Sequence, residues 1–174
     1  AQIGLGSGLW TAGMLVIVWS GASVATSLLF ALVPRRLAGP TSIAVLLLVV
    51  AVGQVLGYGL DAGSSPWRLA PGLAIAGAAT GLLNALLGRQ AVASVETDRA
   101  AMGSGANNTA RYLGASTGIT LFAVIATHVG ANLTAGWNVA VLVSAALTLI
   151  GAGVVVVAGK PVKTRPRARA TNGG

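Results

Sequence analysis

Five uncharged apolar runs, at about 10–33, 41–60, 69–88, 112–131 and 139–158, constrain this chain more than any other feature. An α-helix rises about 1.5 Å per residue, so roughly 20 apolar residues cross a hydrocarbon core about 30 Å thick. The runs do not alternate apolar and polar residues, as membrane strands must. Buried soluble helices are the other way to hide such runs. Five in succession would leave almost nothing for water to wet, because only 8% of the 174 residues are charged and 55% are hydrophobic, with a mean hydropathy of +0.82. An ordinary soluble domain carries roughly 25% charged residues. The expected fold is therefore an all-α integral membrane protein with five transmembrane helices in residues 1–159, followed by a basic disordered cytoplasmic tail, 160–174.

The basic residues set the expected orientation, because short cytoplasmic loops retain Lys and Arg. Of 11 such residues, ten fall on one side of the five runs and only Arg68 on the other. Arg35 and Arg36 mark one cytoplasmic loop, and Arg89, Glu96, Asp98 and Arg99 mark a second, from Arg89 to about Met102. The tail KPVKTRPRARATNGG has no aromatic residue to stack on bases, so its expected partner is the anionic lipid bilayer and not nucleic acid. The chain begins with Ala1, and its first run lacks a basic n-region, which suggests a fragment or processed product and no cleaved leader. Richness in Gly, Ala, Val and Arg suggests a bacterial plasma membrane as its location.

Catalytic chemistry finds little support. There is no cysteine, and the acids are Asp61, Glu96 and Asp98, all expected in loops. His128 stands alone near the outer end of the fourth run, with no carboxylate at ligand spacing. No metal, no cofactor and no enzymatic activity are expected. GLGSG and GSGANN do not follow a strand or read as a phosphate loop, and NLT at 132–134 is discounted as a glycosylation site.

Stripes of small and polar residues carry more. GxxxG pairs occur at Gly53 and Gly57, Gly77 and Gly81, and Gly114 and Gly118, and such pairs let membrane helices approach closely. Gly77, Gly81, Asn84 and Gly88 share the spacing i, i+4, i+7, i+11 with Asn107, Arg111, Gly114 and Gly118, so each set occupies one helix face. Ser20, Ser23 and Ser27 with Gly13 form a looser stripe. Two readings stay open for Asn84 and Asn107: bridging neighbouring backbones, or lining a path. Arg111 is expected near the cytoplasmic boundary, snorkelling or paired with Glu96 or Asp98.

The segment from Pro71 to Ala126 resembles the C-terminal half of major facilitator superfamily transporters, specifically EmrB/QacA-like drug:proton antiporters. The resemblance rests on Gly77, Gly81, Gly105, Asn108, Thr109, Arg111, Gly114 and Gly118, with weaker support from LLFALVPRRLAGP, which is similar to the family's basic cytoplasmic loop without its usual acid. It implies the last five helices of such a transporter, exporting a small-molecule substrate against protons by alternating access. Gln54, Asn84, Asn107, Asn108 and Arg111 would then line a pathway or gate. The proton-coupling carboxylates would lie in missing N-terminal helices, because none falls within an apolar run here. The alternative is a small membrane scaffold or accessory subunit that assembles through its glycine faces.

Overall fold

The computed structural model describes residues 8–30, 39–61, 63–130 and 132–159, so Arg35, Arg36 and the basic tail lie outside the described residues. Among the described residues five α-helices follow in chain order: α1 (Leu9–Leu29), α2 (Pro40–Val55), α3 (Ala70–Ala93), α4 (Ala100–His128) and α5 (Leu133–Ala158). Short 3-10 turns, Pro66–Leu69 and Thr97–Arg99, lead into α3 and α4, and no strand occurs among the described residues.

Local chemistry explains the boundaries. Pro40 opens α2 and Pro71 falls in the first turn of α3, where a missing N–H goes unmissed. Asn132 caps α5, its side-chain oxygen accepting from the Ala135 N–H at 2.9 Å. Gly59 (φ 75°) and Gly130 (φ 97°) take the left-handed conformation that turns the chain after α2 and between α4 and α5.

These boundaries correct the spans read from hydropathy. Arg89 is not in a loop: α3 continues through it to Ala93. The loop proper is short, and α4 begins at Ala100, so GSGANNTAR is helical and Arg111 lies well inside a helix of 29 residues. Helix α2 has 16 residues and ends before Leu56, whereas α5 begins at Leu133 and not near 139. Among the described residues three segments, Leu9–Leu29, Pro66–Ala93 and Leu133–Ala158, are long and apolar enough to cross a membrane. By that measure α2 is too short, and α4, although 29 residues long, is not among them, so three and not five of the expected spans are supported.

In the packing order, α1 lies on α3, α3 on α2, α2 on α5 and α5 on α4, while the start of α4 returns to the end of α3. Glycine makes the closest approaches. A Cβ on Gly77 would collide with the Trp19 carbonyl oxygen, and one on Gly81 with the Ser23 carbonyl oxygen and the Thr26 hydroxyl. A Cβ on Gly53 would lie 2.8 Å from both the Gly72 carbonyl oxygen and the Ala76 nitrogen. At the α1–α3 contact, Thr26 Oγ1 donates to the Ala78 carbonyl at 2.8 Å and Ser27 Oγ to the Gly81 carbonyl at 2.9 Å.

Large apolar side chains are exposed on the helices while the interior is also apolar. No polar side chain is fully buried among the described residues, whereas Leu9 is 80% exposed, Leu28 71% and Val157 69%. So much exposed apolar surface is compatible with an integral membrane protein.

Gly81→Val should lower the thermal midpoint of the detergent-purified chain, because the added branch must push α1 off α3 at a cost of about 1–3 kcal/mol. Gly114→Val, at a position with nothing within 4 Å, should leave the midpoint unchanged. Equal midpoints for the two variants in a melting experiment would contradict the α1–α3 contact.

Candidate functional site

The middle of α4 is the anomalous surface. Its start is held where Gly103 meets the Ala91 carbonyl of α3, leaving no room for a side chain. Its end is held on α5, where Phe122 meets Trp137 edge-to-face at 5.2 Å and Gly136 abuts the Ala126 carbonyl. Between these anchors residues 104–121 are exposed, apart from half-buried Asn107. The sequence there, SGANNTARYLGASTGITL, mixes amides, hydroxyls and a guanidinium with glycine. Lipid solvates such groups poorly.

A cleft of about 840 Å³ runs beside this segment, between α2, α4 and α5. Gly114, Gly118 and Phe122 form its α4 wall, facing Leu47 of α2 and Ser144 and Thr148 of α5. No charged side chain lines it; the walls are apolar with a few hydroxyls. Phe122 and Ser144 also border a smaller space of about 200 Å³, which reaches Trp19, Gln54 and Trp137. Along this boundary Thr148 Oγ1 lies 3.1 Å from Gln54 Oε1 and donates to it, joining α2 to α5.

Sequence-selected residues divide by environment. Gln54 lies inside the bundle, bonded to Thr148. Gly53, Gly77 and Gly81 lie at helix contacts, and Gly57 is 3.4 Å from the Leu69 side chain as its Cβ would be measured. Gly114 and Gly118 have no atom within 4 Å of a Cβ position, so they border open space and not a neighbouring helix. Asn84 is half-buried on α3, one turn beyond Gly81. Asn107 lines a separate recess of about 600 Å³ with Gln90 and Ser94, and Asn108 is exposed. Arg111 is exposed, its guanidinium 5.3 Å from the Tyr112 ring centroid. It does not pair with Glu96, which lies 3.8 Å from Arg99 in an exposed ion pair, nor with exposed Asp98. About three turns of helix separate Arg111 from those acids.

The comparisons with known proteins add no relative. Family models, curated proteins and solved structures yield no significant match to this chain. No cluster of His, Asp or Glu suited to a metal occurs among the described residues. The hydroxyls and apolar walls of the cleft can hold a lipophilic molecule but offer no general base or nucleophile pair.

At the opposite end from Arg89, two adjacent residues tie α2 to α5. Trp137 Nε1 donates to the Gly57 carbonyl at 2.9 Å, and Asn138 accepts from the Gly59 and Leu60 N–H groups at 2.9 and 3.2 Å. The Asn138 amide donates back to the Leu60 carbonyl at 3.2 Å, while Arg68 Nη1 donates to the Gly59 carbonyl at 2.6 Å. Ending the fourth run at 131 and starting the fifth at 139 left residues 132–138 between spans and hid this clasp. Asn before an apolar run is a helix-start signal, and applying it at Asn132 would have put Trp137 and Asn138 on a helix.

Asn138→Ala should destabilise the chain by about 1–3 kcal/mol, because it strands the Gly59 and Leu60 groups without partners. Asn108→Ala should be neutral. Denaturation in mixed micelles checks this; an Asn138→Ala curve superimposed on the parent's would contradict the clasp.

Proposed function

We propose that this chain is the C-terminal part of a proton-coupled efflux transporter in a bacterial plasma membrane, exporting a small lipophilic molecule by alternating access. The exposed polar middle of α4 beside the 840 Å³ cleft is the observation that carries this reading. In a bilayer such a segment belongs against a watery cavity or another polar helix, because lipid cannot satisfy it. A transport path between two helical bundles supplies that environment near the bilayer midplane. All five helices would then cross the membrane, with the C-terminus cytoplasmic.

In this reading Gly114 and Gly118 form one wall of the path, and Asn108 and Arg111 act as a gate toward the cytoplasm. Proton coupling belongs to the remaining helices of the parent, because Asp61, Glu96 and Asp98 lie outside the helices of the bundle. A second reading, a membrane scaffold or accessory subunit, draws on the open pair Gly114 and Gly118, which leaves space for a helix to dock.

Efflux of a fluorescent lipophilic dye from cells making the parent transporter separates the two. Gly118→Trp, which fills the cleft, and Arg111→Ala should each reduce efflux at least about tenfold at normal membrane levels, a change of about 1.4 kcal/mol in barrier. Gly13→Trp, on open surface of α1, should not. Unaltered efflux in the first two variants would sink the transport-path reading.

A further inference from the structure

We infer that Trp10, Tyr58 and Trp67 form an aromatic belt that seats one end of the bundle in the headgroup layer of a bilayer, with the hydrocarbon core running from these rings to Arg89. This rests only on the bilayer part of the proposed function and not on transport.

Among the described residues three aromatic side chains are exposed at the end of the bundle opposite Arg89: Trp10 is 77% exposed, Trp67 52% and Tyr58 46%. Helix contacts bring them to one level. Gly77 of α3 meets the Trp19 carbonyl of α1 and Gly81 meets that of Ser23, so the two helices advance in step and Trp10 comes level with Arg68, next to Trp67. Gly57, just after α2, lies beside Leu69, which brings Tyr58 to the same level. The side-chain N–H and O–H groups of the three rings have no partner among the described residues, whereas Trp137, packed inside, donates to the Gly57 carbonyl. A ring with an apolar body and one unpaired polar group fits the boundary between hydrocarbon and headgroups, where each part finds its own solvent.

The distance to the other end marks the partner as a bilayer and not a protein surface. From Trp67 to Arg89 the chain rises about 33 Å along α3, and from Trp10 to Phe30 about 30 Å along α1. Phe30 and Arg89 meet there, the guanidinium 4.4 Å from the ring centroid. Both lengths match a hydrocarbon core about 30 Å thick. Charged side chains respect the same limits. Asp61 and Arg68 are exposed at the level of the rings, Glu96, Asp98 and Arg99 are exposed beyond Arg89, and among the described residues only Arg111, on the polar face of α4, falls between. Trp19 supplies an internal reference, about 14 Å below Trp10 along α1 and so close to the midplane of such a core.

Fluorotryptophan incorporated into the full chain, reconstituted in phosphatidylcholine vesicles, gives a fluorine signal for each of the four tryptophans, assigned through Trp10→Phe, Trp19→Phe and Trp67→Phe. A lipid carrying a nitroxide in its headgroup should abolish the Trp10 and Trp67 signals and spare that of Trp19. A nitroxide at the end of the acyl chain should abolish the Trp19 signal and spare the other two. Tyr58→Trp should add a signal that behaves as those of Trp10 and Trp67 do. The reverse pattern would overturn the belt, as would loss of all the signals to the same lipid, or Trp10, Trp67 and the residue placed at 58 answering to different nitroxides. Signals untouched by either lipid would also overturn it, in favour of rings in water or under a protein partner. Alkaline carbonate treatment of membranes is the separate control: a chain that washes off would refute the bilayer reading itself, whereas a retained chain with Trp10 and Trp67 answering to the chain-end nitroxide refutes only the belt.

Discussion

Everything in the bundle depends on α3 lacking side chains where its neighbours cross it. At Gly77 and Gly81 the backbone carbonyls of α1 occupy the space a Cβ would need, and at Gly72 the Gly53 carbonyl does the same from α2. Lipid is as apolar as leucine, so helices in a bilayer gain little by hiding apolar side chains from it. They gain from dispersion at close range and from hydrogen bonds between helices. Backbone approach at these glycines brings the hydroxyls of Thr26 and Ser27 within reach of the Ala78 and Gly81 carbonyls. Any side chain there would separate the helices and break both bonds together.

The same constraint explains why α4 is different. It carries glycines at comparable spacing, but only Gly103 meets another backbone within the chain. Gly114 and Gly118 open onto the cleft, and the polar residues around them face outward. Helix α4 is therefore fixed at its two ends and unpartnered in the middle. The Trp137 and Asn138 clasp and the Gln54 to Thr148 bond keep α2 and α5 together on the other side of the cleft. A cleft between a rigid wall and a polar, uncovered helix is the arrangement from which a transport reading follows.

Much of the helical content was legible because length and apolar character alone demand it. Gly53, Gly77 and Gly81 were legible from their pairing four residues apart. Gly72 and Gly136, which meet backbone just as closely, were not, because each makes its close contact without a second packed glycine at that spacing. Helix ends were harder, since hydropathy marks where lipid would end and not where hydrogen bonding does. Arg89 was read as the start of a loop on its charge, yet Gln, Ala and Arg sustain a helix well. The openness around Gly118 depends on which helices meet. No spacing in one chain encodes that.

A transport path along α4 requires that the middle of this helix face water or polar protein, while α1 and α5 face lipid. Spin labels attached to single cysteines at positions 108, 111, 114 and 118 of α4, and at 16, 17, 154 and 157 of α1 and α5, test it directly in the membrane-inserted chain, which has no native cysteine. Collision with a water-soluble nickel chelate should dominate at the α4 positions, and collision with oxygen, which concentrates in lipid, at the others. Oxygen dominating at 111, 114 and 118 as it does at 16 and 17 would contradict the claim.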